Sequence, residues 1–258
     1  MKITGLLGAL ALSGFALVDA PAVLAPDSVA EAAVDPDVTG RATGRVVFDG
    51  EVPEAKSLSI TEAQSKGCVE EGSSIDARDH SLIVGEDKGI ANAVVTIAVE
   101  GRELVVPEEP VVLDQLRCRF DRHVVVVPVG AVVEYKNSDD VPHNVHTYSI
   151  KNKAFNRTLA GESSYSQKVE EAEAIRVKCD IHPWMSAWVF VADTNFVALT
   201  DVHGAFEIPG LPPGEYVARV WHEKLGKAEV PVVIGEAGES QPISVALEPK
   251  PARKRRRR

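Results

Sequence analysis

Short valine-rich runs separated by turn residues constrain the fold of this chain most strongly. Three such runs lie between residues 111 and 135, and Val129 and Gly130 separate the last two. Strand signals at intervals of about 8–12 residues, with turn residues between them, are typical of β-sandwiches. Because β-branched residues favour strands over helices, the 258-residue chain is predicted to be all-β. A short apolar run at 81–84 is also interpreted as a strand.

One loop between two β-like runs concentrates three potential metal ligands. Its seven residues, 179–185, read Cys-Asp-Ile-His-Pro-Trp-Met, with strand-like residues on both sides. Because a tight loop reverses the chain between two strands, the side chains of Cys179, His182 and Met185 can converge on one point. A thiolate, an imidazole and a thioether form a ligand set that suits copper.

His143 is the expected fourth ligand, since it follows another β-like run and a polar turn at 137–140. Two His and one Cys with a weak axial Met are the ligand set of a blue-copper electron-transfer site. Two alternatives stay open: the four side chains can simply pack a sandwich core, or the Cys and His can hold zinc. The Met favours copper over zinc, because thioether is a soft donor. His146 is expected at the rim of the site and His123 at a strand edge.

The order of these residues resembles that of the cupredoxins, the plastocyanin and azurin superfamily. The Cys-x2-His-Pro-aromatic-Met loop is most similar to that of the amicyanins, and the sequence around His143 is similar to the plastocyanin pattern. The resemblance covers about residues 111–191. It implies a Greek-key β-sandwich with one mononuclear copper site, whose ligands are His143, Cys179, His182 and Met185.

The same resemblance implies two details of the surroundings of the metal. The backbone N–H of Asn144 is expected to point at the sulfur of Cys179. His182 is expected to be the ligand at the solvent edge, within an apolar docking patch that it forms with Pro183 and Trp184. The polar stretch 150–173 is predicted to be a crossing loop with one edge strand or a short helical turn.

A different pattern follows the ligand loop. Residues 200–216 read Thr-Asp-x-x-Gly-x-Phe-x-Ile-x-x-Leu-Pro-Pro-Gly-x-Tyr, which resembles the carboxypeptidase-regulatory, transthyretin-like modules. The strands that precede this motif in that family have counterparts far upstream, at 44–50 and 93–97. We therefore infer a second, Ig/transthyretin-like β-sandwich into which the cupredoxin is inserted. Two consecutive domains with a small N-terminal β unit are the simpler alternative.

The inferred insertion gives the chain five segments. Residues 43–102 and 193–249 form the discontinuous regulatory-like domain, and residues 103–192 form the cupredoxin domain. Lys2 and the apolar run that follows it predict a signal peptide over 1–30, with an uncleaved membrane anchor as the alternative. Residues 31–42 are predicted to be a linker. The protein is then expected in the periplasm or the extracellular space.

The three cysteines and the charge distribution agree with export. If Cys179 binds metal, Cys68 and Cys118 are left to pair in an oxidising compartment, although the sequence leaves open whether they meet. Residues 250–258 carry seven cations, and such a block is expected to be disordered. The formal charge is −10 for the whole chain and −9 without residues 1–30, which leaves about −16 once the tail is also removed.

These features favour one-electron transfer over catalysis, since no nucleophile–base pair or open metal position is visible in the sequence. The expected partner is a redox protein such as a c-type cytochrome, and the acidic body favours a basic partner. No nucleic-acid partner is expected, and the tail is a candidate contact for an anionic surface. Two other functions stay open: a carbohydrate- or protein-binding module with a secondary copper site, and copper storage or delivery.

Overall fold

The computed structural model describes residues 40–54, 56–61, 65–68, 74–238 and 240–249. The predicted signal peptide, most of the predicted linker and the basic tail lie outside the described residues. Within the described ranges every named regular element is a β-strand, so the all-β prediction is confirmed. No helix in this part of the chain is long and apolar enough to cross a membrane.

The strands are short and are spread over the whole described chain. In chain order they are β1 Gly40–Phe48, β2 Val94–Ile97, β3 Val111–Leu116, β4 Arg119–Phe120, β5 Val124–Pro128, β6 Val132–Asn137, β7 His143–Tyr148, β8 Asn156–Leu159, β9 Ser163–Lys168, β10 Ala174–Lys178, β11 Ser186–Ala192, β12 Val197–Leu199, β13 Ala205–Leu211, β14 Gly214–His222, β15 Gly226–Ile234 and β16 Ile243–Leu247.

The nine consecutive strands β3 to β11 form one β-sandwich, here named the central sandwich. One of its sheets has the order β5-β11-β10-β7-β8 and the other has the order β4-β3-β6-β9. The pairs β5–β11 and β3–β6 are parallel, because the chain crosses between the sheets instead of returning by hairpins. Alternate side chains of both sheets, such as those of Leu113, Val133, Ile175 and Val189, share one apolar core.

The remaining strands form a second β-sandwich, here named the split sandwich because the central sandwich separates its parts in sequence. Its sheets have the orders β13-β1-β16 and β12-β2-β14-β15. Phe48, Val95, Ile208 and Val220 belong to the core that these sheets share. Strands β1 and β2 therefore pair with strands from the C-terminal part of the chain, across an intervening stretch of more than ninety residues.

Strand β5 shows how the two sandwiches meet. All five of its residues are buried, although it lies at the edge of its sheet. Val125 and Val127 face the core of the central sandwich, whereas Val124 and Val126 belong to a third apolar cluster that also includes Val94 of β2. Burial on both faces explains why this strand is a continuous apolar run instead of an alternating one.

Aromatic side chains complete the junction between the sandwiches. The Trp188 and Phe190 rings on β11 pack against Trp221 on β14, with ring centroids 5.2 and 5.4 Å apart. Both pairs are tilted or edge-on, which is the favoured geometry for aromatic contacts. The two sandwiches therefore share a packed interface.

Four local predictions differ from the structure. Residues 40–42, which the sequence places in the linker, belong to β1. Residues 81–84 form no strand, and Val84 makes only an isolated bridge with Ile90. The stretch 150–173 contains two strands instead of one, and they belong to different sheets: β8 pairs with β7, and β9 pairs with β6. Strands β15 and β16 were not predicted, although both carry alternating buried and exposed residues.

Candidate metal centre

The ligand loop is held by the strands on either side of it. Strands β10 and β11 pair in antiparallel register up to Lys178 and Ser186, which leaves the seven residues 179–185 to reverse the chain. The Cys179 N–H donates to the carbonyl of Met185 at 3.2 Å, and the Met185 N–H donates to the carbonyl of His182 at 2.9 Å. These two backbone bonds fix the loop that carries three of the predicted ligands.

The structure brings His143, Cys179 and His182 together at one end of the central sandwich. His143 begins β7, which pairs with β10, so its ring lies beside the loop. The Nδ1 atoms of His143 and His182 are 2.9 Å apart, and the Cys179 Sγ lies 3.8 Å from the His182 Nδ1. His143 is fully buried, Cys179 is 1% exposed and His182 is 8% exposed. These residues form a group whose ligand atoms all lie within 4.8 Å of one another.

Met185 is buried in the loop that carries Cys179 and His182. Its side chain is 1% exposed and it belongs to the same apolar core as Cys179 and Trp184. Its backbone is tied to His182 and Cys179 as described above. The residue predicted as the axial ligand is therefore buried at the loop.

An aspartate that the sequence analysis did not single out orients His143. Asp139 Oδ2 lies 2.7 Å from the His143 Nε2, and the backbone N–H groups of Arg117 and Cys118 donate to the same carboxylate at 2.6 and 2.7 Å. With the proton of the neutral ring on Nε2, the lone pair on Nδ1 is left for a metal. A carboxylate behind a histidine ligand is a common arrangement at metal sites.

The histidine pair fits a metal better than it fits a plain core. The Nδ1 atoms of the two buried rings face each other at 2.9 Å. Burial, and then the neighbouring His143, lower the pKa of His182, which favours its neutral form. The Nδ1 atoms of His143 and His182 would hold a metal ion, and coordination would then replace the direct contact between the two buried imidazoles.

Two backbone N–H groups point at the sulfur of Cys179. The Asn144 N–H lies 3.3 Å from the sulfur and the His182 N–H lies 3.4 Å from it, so the predicted contact of Asn144 is confirmed. Both contacts hold the sulfur in place within the loop. The Asn144 carbonyl in turn accepts from the buried amide of Gln115 at 3.2 Å, which helps to fix this backbone segment.

The prediction that His182 forms a solvent edge is wrong. His182 and Trp184 are each only 8% exposed, and of the predicted patch only Pro183 is exposed. A disulfide joins Cys68 to Cys118 and covers the ring, with the Cys68 Sγ 3.9 Å from the His182 Nε2. The irregular segment that contains Cys68 has no periodicity from which this cover could be predicted.

The same disulfide is tied to the ligand loop through Cys118. The Trp184 indole N–H donates to the Cys118 carbonyl at 3.0 Å, while the Cys118 N–H donates to Asp139. Arg117 and Cys118 both have positive φ angles, 54° and 51°, which turn their N–H groups towards that carboxylate. The pairing that the sequence left open is therefore present, and it lies directly beside the metal centre.

The other histidines lie outside the group. The His146 Nδ1 contacts the Asp180 carboxylate at 3.0 Å and its ring stacks on Tyr148, as expected for a residue at the rim. His123 contacts Glu223 of the split sandwich. Both contacts are with protein groups.

No protein-family model and no curated protein matches this chain. Among solved structures, a copper-containing nitrite reductase (NirK) from Thermus scotoductus SA-01 is similar with 22% identity and a TM-score of 0.32, over 38% of this chain and 25% of that chain. The matched part thus spans about a quarter of the reductase.

Two smaller proteins are similar to part of the chain as well. A reduced mutant of amicyanin is 27% identical with a TM-score of 0.31, over 38% of this chain and 98% of that chain. A purple cupredoxin from Nitrosopumilus maritimus is 28% identical with a TM-score of 0.26, over 28% and 81% of the two chains. TM-scores this low carry no argument about function, so the metal centre is interpreted from its own residues.

Proposed function

We propose that the protein transfers single electrons through one copper ion bound by His143, Cys179, His182 and Met185. One observation supports this most. Two buried imidazole Nδ1 atoms lie 2.9 Å apart, beside a thiol sulfur that accepts hydrogen bonds from two backbone N–H groups. This donor set is the one that blue-copper sites use. When bound, copper supplies a centre that alternates between its one- and two-electron-oxidised ions, Cu(I) and Cu(II).

The residues around the site are suited to electron transfer because they resist rearrangement. The loop is closed by backbone bonds at both ends, His143 is held by Asp139, and Pro183 fixes its own φ angle. A site whose ligands stay in place in both oxidation states loses little energy to reorganisation. The buried surroundings also keep water from the metal ligands.

An electron carrier fits this geometry better than an enzyme. The four proposed ligands are at most 8% exposed, whereas a catalytic metal site keeps one position open for water or substrate. Copper storage or delivery is the remaining metal-based alternative. Such a role needs exchange of the ion, which the disulfide cover over His182 opposes.

We propose that the chain is divided into two domains as the sequence predicts, because the strands of each domain share sheets only with one another. Strands β3 to β11 pair only with one another, whereas β1 pairs with β13 and β16, and β2 pairs with β12 and β14. A central domain at 103–192 inserted into a domain at 43–102 and 193–249 accounts for this pairing. Export by residues 1–30, to the periplasm or the extracellular space, is proposed from the sequence and from the disulfide between Cys68 and Cys118, which forms in oxidising compartments.

We propose a redox protein, such as a c-type cytochrome, as the partner, with the basic tail 250–258 as a contact for anionic surfaces. The covered ring of His182 means that a partner does not reach that ligand directly. Ile181 and Pro183, on either side of it in the loop, are both exposed, and Ile181 is 47% exposed. These apolar residues offer a docking point next to the ligand.

The test is the optical spectrum of the purified protein with Cu(II). The intact protein should be intensely coloured through charge transfer from the Cys179 thiolate, and Cys179→Ser should be colourless because serine offers a hard, barely ionised oxygen. Met185→Leu is the matched control, since it removes the weak axial ligand and should keep the colour while changing the reduction potential. Colour that survives in Cys179→Ser would refute the ligand assignment.

A second candidate function is supported by a cavity away from the metal centre. It has a volume of about 650 Å³, with an apolar lining that includes Leu82, Val84 and Leu225 and polar groups that include His80 and Arg78. An apolar cavity with a few polar groups is the usual form of a ligand site, which favours a binding module. Glycan or peptide binding that is equal in the intact protein and in Cys179→Ser would support this function, and binding lost with Cys179 would contradict it.

A further inference from the structure

The two histidines of the metal centre carry a second group of potential ligands on their Nε2 side. The Cys68 Sγ, the Cys118 Sγ and a ring nitrogen of His182 all lie within 4.8 Å of one another, and all three residues are buried. Cys118, Asp139 and His143 form another such group. The proposed copper ligands use the opposite, Nδ1 side of both rings, so these atoms are not accounted for by the first site.

The separations suit a shared metal ion. A metal with a thiolate at about 2.3 Å and an imidazole nitrogen at about 2.0 Å leaves those two atoms roughly 3.5 to 3.8 Å apart. The Cys68 Sγ and the His182 Nε2 are 3.9 Å apart, so this pair needs little movement. The two sulfurs must move apart once the bond between them is broken. As long as the two sulfurs are bonded to each other, neither is a thiolate, and the site stays closed.

Reduction changes the chemistry of these atoms without removing the structure that holds them. A dithiol reductant gives its two electrons and two protons to the disulfide: its own sulfurs become joined, and Cys68 and Cys118 become thiols. Cys118 stays held by its N–H bond to Asp139 and its carbonyl bond to Trp184. A soft metal ion then displaces the two thiol protons, since thiolates are the ligands that Cu(I) prefers.

We propose that reduction of the Cys68–Cys118 disulfide opens a second site for Cu(I), formed by the two thiolates and the Nε2 of His182. The Asp139 carboxylate lies next to this site, within 4.8 Å of the Cys118 sulfur. Its negative charge favours two thiolates that hold a cation over two thiolates without one. Occupancy of both sites would place one metal on each nitrogen of the His182 ring, which then also gives up its remaining ring proton to solvent. The disulfide then has two roles: it links the chain covalently, and in its oxidised state it keeps Cu(I) from binding to these sulfurs.

The experiment counts Cu(I) ions on the full-length protein with and without the disulfide. The disulfide is reduced anaerobically with a phosphine, and the excess is removed. The phosphine gives two electrons to the disulfide, and water supplies the oxygen of the phosphine oxide and the two thiol protons. Thiol counting on denatured samples should give one thiol before reduction and three after it. Competition with a chromophoric Cu(I) chelator should then give one tightly bound Cu(I) per chain in the disulfide form and two in the reduced form.

Two variants separate this proposal from the proposed function. Cys68→Ala with Cys118→Ala should keep the blue colour with Cu(II), which shows that it folds, and should bind one Cu(I) under either condition. Cys179→Ser should lose the colour but still gain one Cu(I) on reduction. A gain of no Cu(I) on reduction of the intact protein would overturn the second site even if the protein is blue, and so would an equal gain in the double alanine variant. If that variant is colourless and unfolded, the test is the number of Cu(I) ions that Cys179→Ser binds before and after reduction. The proposal requires one more after reduction.

Discussion

The central and split sandwiches have similar apolar cores but differ sharply in the polar groups that they bury. Among the described residues eleven polar residues are buried, and seven of them belong to the range of the central sandwich. Several of these lie at one end of it, around His143, and are joined by hydrogen bonds. Burying polar groups costs free energy unless they are paired. The hydrogen bonds among these groups offset that cost, so the central sandwich holds a paired polar network at the place where the proposed chemistry lies.

The split sandwich, which buries fewer polar residues, carries most of the negative charge. Residues 103–192 contain thirteen acidic and ten basic side chains, a net charge of −3, whereas residues 43–102 and 193–249 contain twenty and nine, a net charge of −11. The acidity expected to attract a basic partner thus belongs mainly to the split sandwich. A cationic partner would be drawn to the molecule by one part and exchange electrons with the other.

The largest expected effects come from matched core truncations. Ile175 in the central sandwich and Ile208 in the split sandwich are each 1% exposed, and replacing either by Ala should lower the free energy of unfolding by about 2–5 kcal/mol. Ile175→Ala should lower the urea concentration at which the blue colour is lost. Ile208→Ala should mainly lower the urea concentration at which the split sandwich unfolds. That unfolding is followed by far-UV circular dichroism and should leave the blue colour in place. Equal shifts of both signals in both variants would mean that the sandwiches unfold as one unit.

A pH effect is expected from the split sandwich. Burial lowers the pKa of His222 to about 4. The charge of Glu223 raises this pKa, whereas the charges of His123 and Lys224 lower it further. The His222 Nδ1 also accepts the N–H groups of Lys224 and Leu225. In the unfolded chain His222 takes up a proton near its ordinary pKa of about 6.5. In the folded protein it stays neutral at that pH. Stability is therefore lost as the pH falls from about 6.5 towards 4, by up to about 3 kcal/mol.

His222→Asn should flatten this slope, because asparagine keeps an acceptor but does not titrate. The measurement is the free energy of unfolding in urea at several pH values between 7 and 4.5. His203→Asn is the matched control, since His203 is exposed, and it should keep the slope of the intact protein. An unchanged slope in His222→Asn would place the acid sensitivity elsewhere.

A smaller effect is expected from the carboxylate behind His143. Asp139→Asn removes the charge that faces the Nε2 of His143, and changes of this kind typically weaken metal binding by about 10–100-fold. The Cu(II) dissociation constant, measured by competition with a chelator, should rise accordingly, while the blue colour persists at saturation. Asp140→Asn, at the exposed neighbouring residue, should leave the affinity unchanged. Equal affinities in the two variants would remove Asp139 from the metal centre.

The smallest effect is expected at the C-terminus. Deletion of residues 250–258 should leave the copper spectrum unchanged, because no proposed ligand lies there. It should weaken binding to vesicles of anionic lipid, and this binding should already be weak at high salt. A changed spectrum would show that the tail contacts the central sandwich.

Sequence reasoning predicted the parts of the centre that are local in the chain. Cys179, His182 and Met185 lie in one short loop, and His143 begins a strand with a recognisable pattern, so their order alone suggested a common site. Asp139 was not predicted, because its role depends on N–H groups from the distant turn at 117–118. The cover by Cys68 depends on an irregular segment whose position only the fold determines. Long-range packing of non-repeating segments leaves no periodic trace in a sequence.

The central claim is tested most directly by an electrochemical titration of the copper-loaded protein followed at its visible band. If the central sandwich holds one blue-copper centre, the band should disappear and return reversibly with the transfer of one electron per chain. The titration should be the same in the intact protein and in Ile208→Ala below its unfolding transition, because the split sandwich takes no part in the redox step. A colourless Cu(II) complex, or a band that does not return on reoxidation, would contradict the assignment of the protein as an electron carrier.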